Sequence, residues 1–450
     1  MKGKSILLTS LIIAANVGAS AESIESAYEA VANMRIGWNL GNTLDSNSGD
    51  LNNMWIEKWS PRRPSDYETA WGQPVTKPEL FKIFKEAGFN AIRVPVTWYP
   101  HMEAEIADLV WNPEEDPIGT EIKSDWMQRV HEIVDYVISQ DMYCILNIHH
   151  DTGGGSTAWL RAGEKEFTEV NERFKAVWTQ IAEEFKEYDG HLLFEGYNEM
   201  LDSYSSWCFA SFATPGNYDA SVARSAYDAI NSYAQSFVDA VRATGGYNET
   251  RNLIVSTYGA CCGEGSWSNH LKDPLKEMKL PEDQAEGHII FEVHSYPHLA
   301  SGLNSTKKSV ADMMAAVKTH LMSKGAPVII GEWGSDSGDD YTLRHADMLS
   351  FARDFVEQAK SNGIATFYWM GLSDGEHRSV PEFNQKDLVD AIVKGYYGEG
   401  GYTSVSELQT GADQPYEYYD IHGRKLSRPA QGLNIVRMKD GSVRKILRRN

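Results

Sequence analysis

Cysteine is scarce in this chain: four in 450 residues, at positions 144, 208, 261 and 262. That excludes the disulfide framework that holds small exported domains, and a chain of this length buries enough apolar surface to do without one. Tyr143-Cys-Ile-Leu146 is an apolar strand pattern, which makes Cys144 a buried thiol. A pairing of Cys208 with Cys261 or Cys262 is left open. No second Cys or His stands at zinc-ligand spacing. Basic residues are also in short supply, 42 Lys and Arg against 63 Asp and Glu, for a formal charge of -21. Such a surface argues against nucleic acid and anionic membranes as partners and suits a neutral substrate or simple solubility. Long apolar runs are missing as well. The one leading run, Ser5 to Val17, is too short to span a bilayer. It follows the basic Met1-Lys-Gly-Lys4 and precedes Ala19-Ser-Ala21, the pattern of a secretory signal peptide ending at Ala21. The expectation is export, with no integral membrane segment.

What is present is a repeating unit, a short apolar strand followed by an amphipathic helix. Eight candidate strands are Arg35–Asn42, Asn90–Val96, Tyr143–His149, Leu192–Glu199, Leu253–Gly259, His288–Tyr296, Pro327–Gly334 and Ala365–Gly371. Each is apolar along most of its length, as strands buried on both faces are. Between them, Asp125–Gln140 carries Met127, Val130, Ile133, Val134, Val137 and Ile138 along one helical face. Asn171–Phe185, Ser221–Val241, Ser309–Met322 and Ala346–Ala359 repeat that period. Alternating β and α units imply parallel strands with right-handed crossovers. Eight of them close into a (β/α)8 TIM barrel, α/β in class, with an open doubly wound sheet as the runner-up. A leading helix near Ile24–Met34 would lie beneath the barrel floor. From Tyr402 onward the helical period stops and the charge reverses, nine Lys and Arg against five Asp and Glu. Tyr416–Asp420, Leu433–Met438 and Val443–Leu447 read as strands, the last two joined by a turn at Lys439-Asp-Gly441. The chain thus divides into a signal peptide (1–21), a barrel catalytic domain (22–401) and a β-rich C-terminal tail (402–450).

In such a barrel the reacting groups gather at the C-terminal ends of the strands. Asn39 and Asn42, Arg93, His149 with His150 and Asp151, Asn198 with Glu199, His294 with Tyr296, Glu332 and Trp369 all fall there. Glu199 and Glu332 leave buried strands, where an unpaired carboxylate is costly. Strands four and seven face each other, so the two carboxylates can oppose one another. Acetal hydrolysis with retention needs such a pair: Glu199 to protonate the leaving oxygen and Glu332 to attack the anomeric carbon. Arg93 and the Tyr296 hydroxyl would hold Glu332 ionised, whereas Glu199 faces another carboxylate and would stay protonated. Asn198 can bond a sugar 2-OH, and Trp369 offers a stacking face.

The motifs Ile36-Gly-Trp-Asn-Leu-Gly-Asn-Thr-Leu-Asp45, Ile92-Arg-Val-Pro-Val-Thr-Trp98, Leu146-Asn-Ile-His-His-Asp151, Phe194-Glu-Gly-Tyr-Asn-Glu199, Val293-His-Ser-Tyr296 and Ile330-Gly-Glu-Trp-Gly334 resemble glycoside hydrolase family 5. With Glu68-Thr-Ala-Trp-Gly72, the opening motif is similar to the family's bacterial endoglucanase and xyloglucanase branch. The resemblance spans about Ile24 to Tyr397, with the motifs in family order. It implies the barrel, retention, the roles of Glu199 and Glu332, and a −1 subsite of Arg93, His149, Asn198, His294, Tyr296 and Trp369, with Asn42 and His150 nearby. Tyr258–Ser266 and Pro297-His298 depart from the branch pattern, both in loops that would wall the cleft.

Two other readings compete. A metal-dependent barrel hydrolase would use His149, His150, Asp151 and His294, but adjacent residues of a strand point to opposite faces. A non-catalytic glycan-binding barrel would not need both carboxylates. Trp55, Trp59, Trp111, Trp159, Trp207 and Trp267 fall in loops and can line a long cleft. The expectation is an endo-acting, monomeric enzyme on a plant-type β-glycan polysaccharide, with β-1,4-glucan first, then xyloglucan, mixed-linkage glucan, mannan and xylan. It would use no cofactor and no metal.

Overall fold

Alternation along the strands separates two apolar layers, and the barrel follows from that separation. In the computed structural model, described over residues 24–102, 119–207, 218–263, 270–335 and 345–402 and parts of 415–448, eight strands pair in sequence order. They are β1 (Ile36–Asn39), β2 (Ala91–Val94), β3 (Tyr143–Asn147), β4 (Leu192–Glu195), β5 (Leu253–Ser256), β6 (Ile289–Ser295), β7 (Val328–Trp333) and β8 (Ala365–Tyr368). All pairs are parallel, and β8 returns to β1 to close the barrel. This is the (β/α)8 architecture that the alternating pattern predicts. Outward residues such as Ile92, Val94, Leu146, Phe194 and Val255 pack into the large core under the helices.

Inward residues of the lower barrel form a second cluster: Ala91, Tyr143, Ile145, Leu193, Ile254, Ile290, Ile329, Ala365 and Phe367. Helix α1 (Ala27–Met34) adds Ala27, Val31 and Met34 to it and plugs the floor, as expected. A capping box fixes its start, Ser26 Oγ accepting from Glu29 N while Glu29 accepts from Ser26 N at 2.9 Å. The outer helices are α2 (Pro78–Ala87), α3 (Ser124–Ile138), α4 (Glu164–Glu184), α5 (Ala220–Arg242), α6 (Leu303–His320), α7 (His345–Ser361) and α8 (Lys386–Tyr397). None of the described helices is long and apolar enough to cross a membrane. Helix α4 starts seven residues before the apolar stripe that announces it, because its first turns, Glu164-Lys-Glu-Phe-Thr-Glu-Val170, are mostly polar and solvent-facing.

The strands stop sooner than their apolar patterns suggest. β3 ends at Asn147 and β4 at Glu195, so His149, His150, Asn198 and Glu199 lie beyond the sheet. Single backbone bonds still tie the overhang to its neighbours: His149 N donates to Val96 O at 2.8 Å, and Asn198 N to Ile148 O at 2.9 Å. The tail forms a four-stranded antiparallel sheet of β9 (Pro415–Tyr419), β10 (Lys425–Leu426), β11 (Gly432–Met438) and β12 (Val443–Arg448), in the order β10-β9-β11-β12. Residues 1–23, with the signal peptide read from the sequence, lie outside the described residues, as do Trp111, Cys208, Trp267 and the Lys439-Asp-Gly441 turn. Cys144 is fully buried.

Candidate active site

Above the apolar floor the inward positions turn polar. Asn39, Arg93, Asn147, Glu195, Ser256 and Glu292 are all completely buried in this layer. Arg93 organises it. Its Nε donates to Glu195 Oε2 at 2.6 Å, Nη2 to Glu195 Oε1 at 2.7 Å and to Asn198 Oδ1 at 2.8 Å, and Nη1 to Glu332 Oε1 at 2.8 Å and Asn39 Oδ1 at 3.0 Å. Glu292 Oε1 stands 3.3 Å from Nε. One guanidinium therefore faces three carboxylates. Burial works against its charge, but Glu195, Glu292 and Glu332 hold it protonated well above the usual range. Burial raises the Glu195 carboxyl to about 7 although Arg93 opposes the shift. For Glu292 the balance is reversed: burial is outweighed by Arg93, His294 and Ser256, and its carboxyl is lowered.

Glu332 sits near the end of β7, with Tyr296 Oη donating to its Oε2 at 2.7 Å. The β6–β7 register shifts at Val293 and His294, which sets His294 opposite Glu332. Glu199, four residues past β4, meets His294 Nδ1 at 2.7 Å, and the same nitrogen is 3.5 Å from Glu332. One oxygen of Glu199 and one of Glu332 lie within 4.8 Å of each other, both on the Nδ1 side of this imidazole. Burial, then the facing Glu332, raises the Glu199 carboxyl, with His294 opposing. The direction matches the one argued from sequence, but burial rather than like charge is its main cause. Burial disfavours the His294 cation, yet Glu332, Glu199 and Glu292 together push it up to about 10.

His149 lies 3.9 Å from Glu332 through Nε2. Asn147 Nδ2 donates to its Nδ1 at 3.0 Å, which places the ring proton on Nε2. Burial keeps this ring neutral, its pKa well below the ordinary value. Trp369 is half-buried and stacks on His149, centroids 5.7 Å apart. Arg93, His149, Asn198, Glu199, His294, Tyr296, Glu332 and Trp369 are thus brought to one rim. His150 stands beside them, 3.8 Å from Asp45 and with its ring centroid 5.4 Å from that of Trp71. Asn42 is set further off, in a left-handed turn (φ 56°) whose N–H donates to Asp45 at 3.1 Å.

Strand alternation does not extend past the end of β3. His149 and His150 do not point apart, because β3 has ended two residues earlier: their rings meet at 4.5 Å, and both approach Asp45. The proposed metal set is nonetheless dispersed. Asp151 accepts from Trp98 N, Tyr99 N and Trp159 Nε1 at 2.7–2.8 Å, and His294 belongs to the Glu199 side. Of the loop tryptophans, Trp59 is 83% exposed, Trp55, Trp159 and Trp207 are half-buried, and Trp159 is committed to Asp151. Glu195 and Glu292 lie one layer below the strand ends expected from the sequence. The signal was available: each is a lone carboxylate in an apolar strand, and Glu292 shares the inward face with His294 two residues on. Trp71, from the Glu68–Gly72 motif, joins the site beside His150. Its Nε1 donates to Asn47 O at 3.1 Å, and the Glu68 of that motif is buried against Arg129 of α3 at 2.9 Å, anchoring the loop. The departing Tyr258 segment closes on the loop after β4, its hydroxyl accepting from Asp202 N at 3.0 Å and donating to Ser206 O at 3.1 Å.

A closed parallel barrel with opposed carboxylates at its C-terminal rim defines a barrel hydrolase acting on glycosidic bonds. The chain belongs to glycoside hydrolase family 5: the family description "Cellulase (glycosyl hydrolase family 5)" matches residues 56–374. It is an endoglucanase-like O-glycosyl hydrolase, as its similarities indicate. It is 30% identical to Endoglucanase A of Clostridium longisporum over 88% of this chain and 71% of that one. Among solved structures it is similar to a GH5-4 broad specificity endoglucanase from an uncultured bacterium, with 51% identity, TM-score 0.75 and coverage of 85% of this chain and 98% of that one. It is also similar to a family 5 enzyme from Prevotella bryantii B14, of which a mutant was solved with a xyloglucan tetradecasaccharide, with 38% identity, TM-score 0.70 and coverage of 84% and 100%.

Proposed function

We propose that the protein is an exported, monomeric, endo-acting β-1,4-glucanase that cleaves with retention, Glu332 as nucleophile and Glu199 as acid and then base. The observation that carries this reading is the approach of the two carboxylates within 4.8 Å. Retaining enzymes hold their carboxyl groups about 5–5.5 Å apart, whereas inverting ones leave room for a water. The surroundings support different roles. Glu332 has each oxygen fixed by a donor, Arg93 on one and Tyr296 on the other. Glu199 is pushed towards its acid form, ready to protonate the leaving oxygen as Glu332 attacks the anomeric carbon. Once Glu332 is glycosylated its negative charge is gone, so Glu199 ionises more readily and draws a proton from the incoming water. Arg93 occupies the Asn198 carbonyl and leaves its NH2 group for the sugar 2-OH. Trp369, braced on His149, supplies a face for the pyranose ring.

Glu332→Gln is expected to lower kcat/KM on cello-oligosaccharides by on the order of 10^3-fold or more while the protein stays folded. Proton NMR of the first product should show the β-anomer; an initial α-anomer would overturn retention. Xyloglucan is the second substrate reading, favoured by the oligosaccharide bound to the Prevotella bryantii relative. Rates on carboxymethyl-cellulose, mixed-linkage glucan, xyloglucan, mannan and xylan, with products sized by chromatography, rank the alternatives.

A further inference from the structure

His294 has a carboxylate on each side. Nδ1 meets Glu199 at 2.7 Å, and Nε2 meets Glu292 Oε1 at 3.4 Å. Glu292 is fully buried, and Ser256 Oγ donates to its other oxygen at 2.8 Å. Room for it comes from β7: a Cβ on Gly331 would stand 1.5 Å from Glu292 Oε1. A buried carboxylate is costly unless it is paired, and this one touches neither the cleft nor Glu332. Its charged neighbours are Arg93 and His294, with Glu195 sharing the Nε of Arg93.

We propose that Glu292 is a positioning residue of the reaction: by holding His294 as an imidazolium from behind, it directs an Nδ1–H at the Glu199 carboxyl. The inference rests on the acid/base role given to Glu199 above. With Glu292 ionised, both ring nitrogens carry protons and both have an acceptor. Nε2–H goes to Glu292 and Nδ1–H to Glu199, with Glu332 3.5 Å away. The groups facing the ring are Glu292 from β6, Glu199 from the loop after β4 and Glu332 from β7, with cationic Arg93 from β2 opposing and neutral His149 beyond. Carboxylates prevail, which agrees with the elevated His294 and the lowered Glu292. The donated proton lowers Glu199 from the value that burial alone would give it. It also stabilises the Glu199 carboxylate formed when the leaving oxygen takes the acid proton. Glu292 therefore tunes an acid it never touches.

Glu292→Gln keeps the shape and removes the charge. The His294 ring then loses its extra proton at working pH, and Nδ1 is left as a lone pair facing Glu199. The basic limb of the kcat/KM–pH profile on phenyl β-cellobioside should move to higher pH by roughly one unit or more, the usual reach of a lost neighbouring charge, with KM little changed. A purely structural role would lower kcat at every pH and leave the limb in place, and that result overturns the proposal. The wild-type protein gives an independent reading: the 15N shifts of His294 should report an imidazolium at pH 7, and a neutral ring there overturns the proposal even if the variant does not fold. Glu199→Ala separates the two levels of inference. Loss of the basic limb in that variant supports Glu199 as the acid; its persistence sinks the Glu199 assignment itself, whatever Glu292→Gln shows.

Discussion

Arg93 and Arg251 are both fully buried, at opposite ends of the same barrel. Arg93 lies in the polar layer under the rim, where Glu195, Glu292 and Glu332 converge on it. Arg251 precedes β5 at the other end, and its hydrogen bonds go to neutral oxygens. Nη1 donates to Leu192 O at 2.6 Å and Asp189 O at 3.0 Å, Nη2 to Tyr188 O at 2.7 Å and Phe185 O at 3.1 Å, and Nε to Asn248 Oδ1 at 2.6 Å. Burial draws Arg251 down to about 9, whereas the carboxylates hold Arg93 well above the usual range. The same side chain does two jobs. Arg251 gathers carbonyls left open where α4 ends and the chain turns into β4. Arg93 balances negative charge that the buried barrel interior would not otherwise tolerate, and so lets carboxylates be placed where chemistry needs them.

The largest expected effect comes from Arg93→Met. It strands three buried carboxylates and frees Glu332 and Asn198, so kcat/KM on cello-oligosaccharides should fall by on the order of 10^3-fold and stability by roughly 3–5 kcal/mol. Steady-state kinetics and urea unfolding measure the two. Arg251→Met should show only the second effect. Several carbonyls lose a donor, at a cost of roughly 3 kcal/mol or more, while kcat/KM per folded molecule stays at the wild-type level. A catalytic loss as deep as that of Arg93→Met would erase the distinction between the two arginines.

The smallest effect is in pH dependence. The Glu195 carboxyl is raised from 4.5 to about 7 on folding, and His294 from 6.5 to about 10. A raised folded value favours the folded state while the group keeps its proton. That contribution is complete below the unfolded value and is lost as pH rises through the folded one. Tm should therefore decline from pH 4.5 to 7 through Glu195 and from 6.5 to 10 through His294. Glu195→Gln should flatten the lower part of that decline by about 2 °C or more. Arg251→Met should leave the slope between pH 4.5 and 7 untouched, since it introduces no titrating group and its end of the barrel carries neither Glu195 nor His294.

Much of this was legible in the sequence, for identifiable reasons. Strands buried on both faces read as apolar runs, so β1 to β8 could be counted and ordered. Glu199 and Glu332 stood out because a carboxylate at the end of an apolar run is conspicuous. The lower polar layer was harder. Glu292 sits within β6 and Glu195 within an apolar run that continues past β4, where a single charged residue resembles an ordinary interruption, and only their shared inward face marks them. Strand ends were overrun because apolar residues such as Ile148 and Tyr197 continue past the last ladder pairing. That overrun also explains the misjudged histidines: alternation governs a strand, and His149 and His150 are already in a turn.

Gly331 ties two strands into one choice. A methyl group there and the Glu292 carboxylate would claim the same volume, 1.5 Å apart. Residues 331 and 292 are therefore one composite position, and substituting either alone tests a collision or a void as well as a chemistry. A redesign that shortens residue 292 should refill the space with Ala at 331, and an alanine introduced there alone should displace Glu292 and disturb His294 without a substitution at any cleft-lining residue.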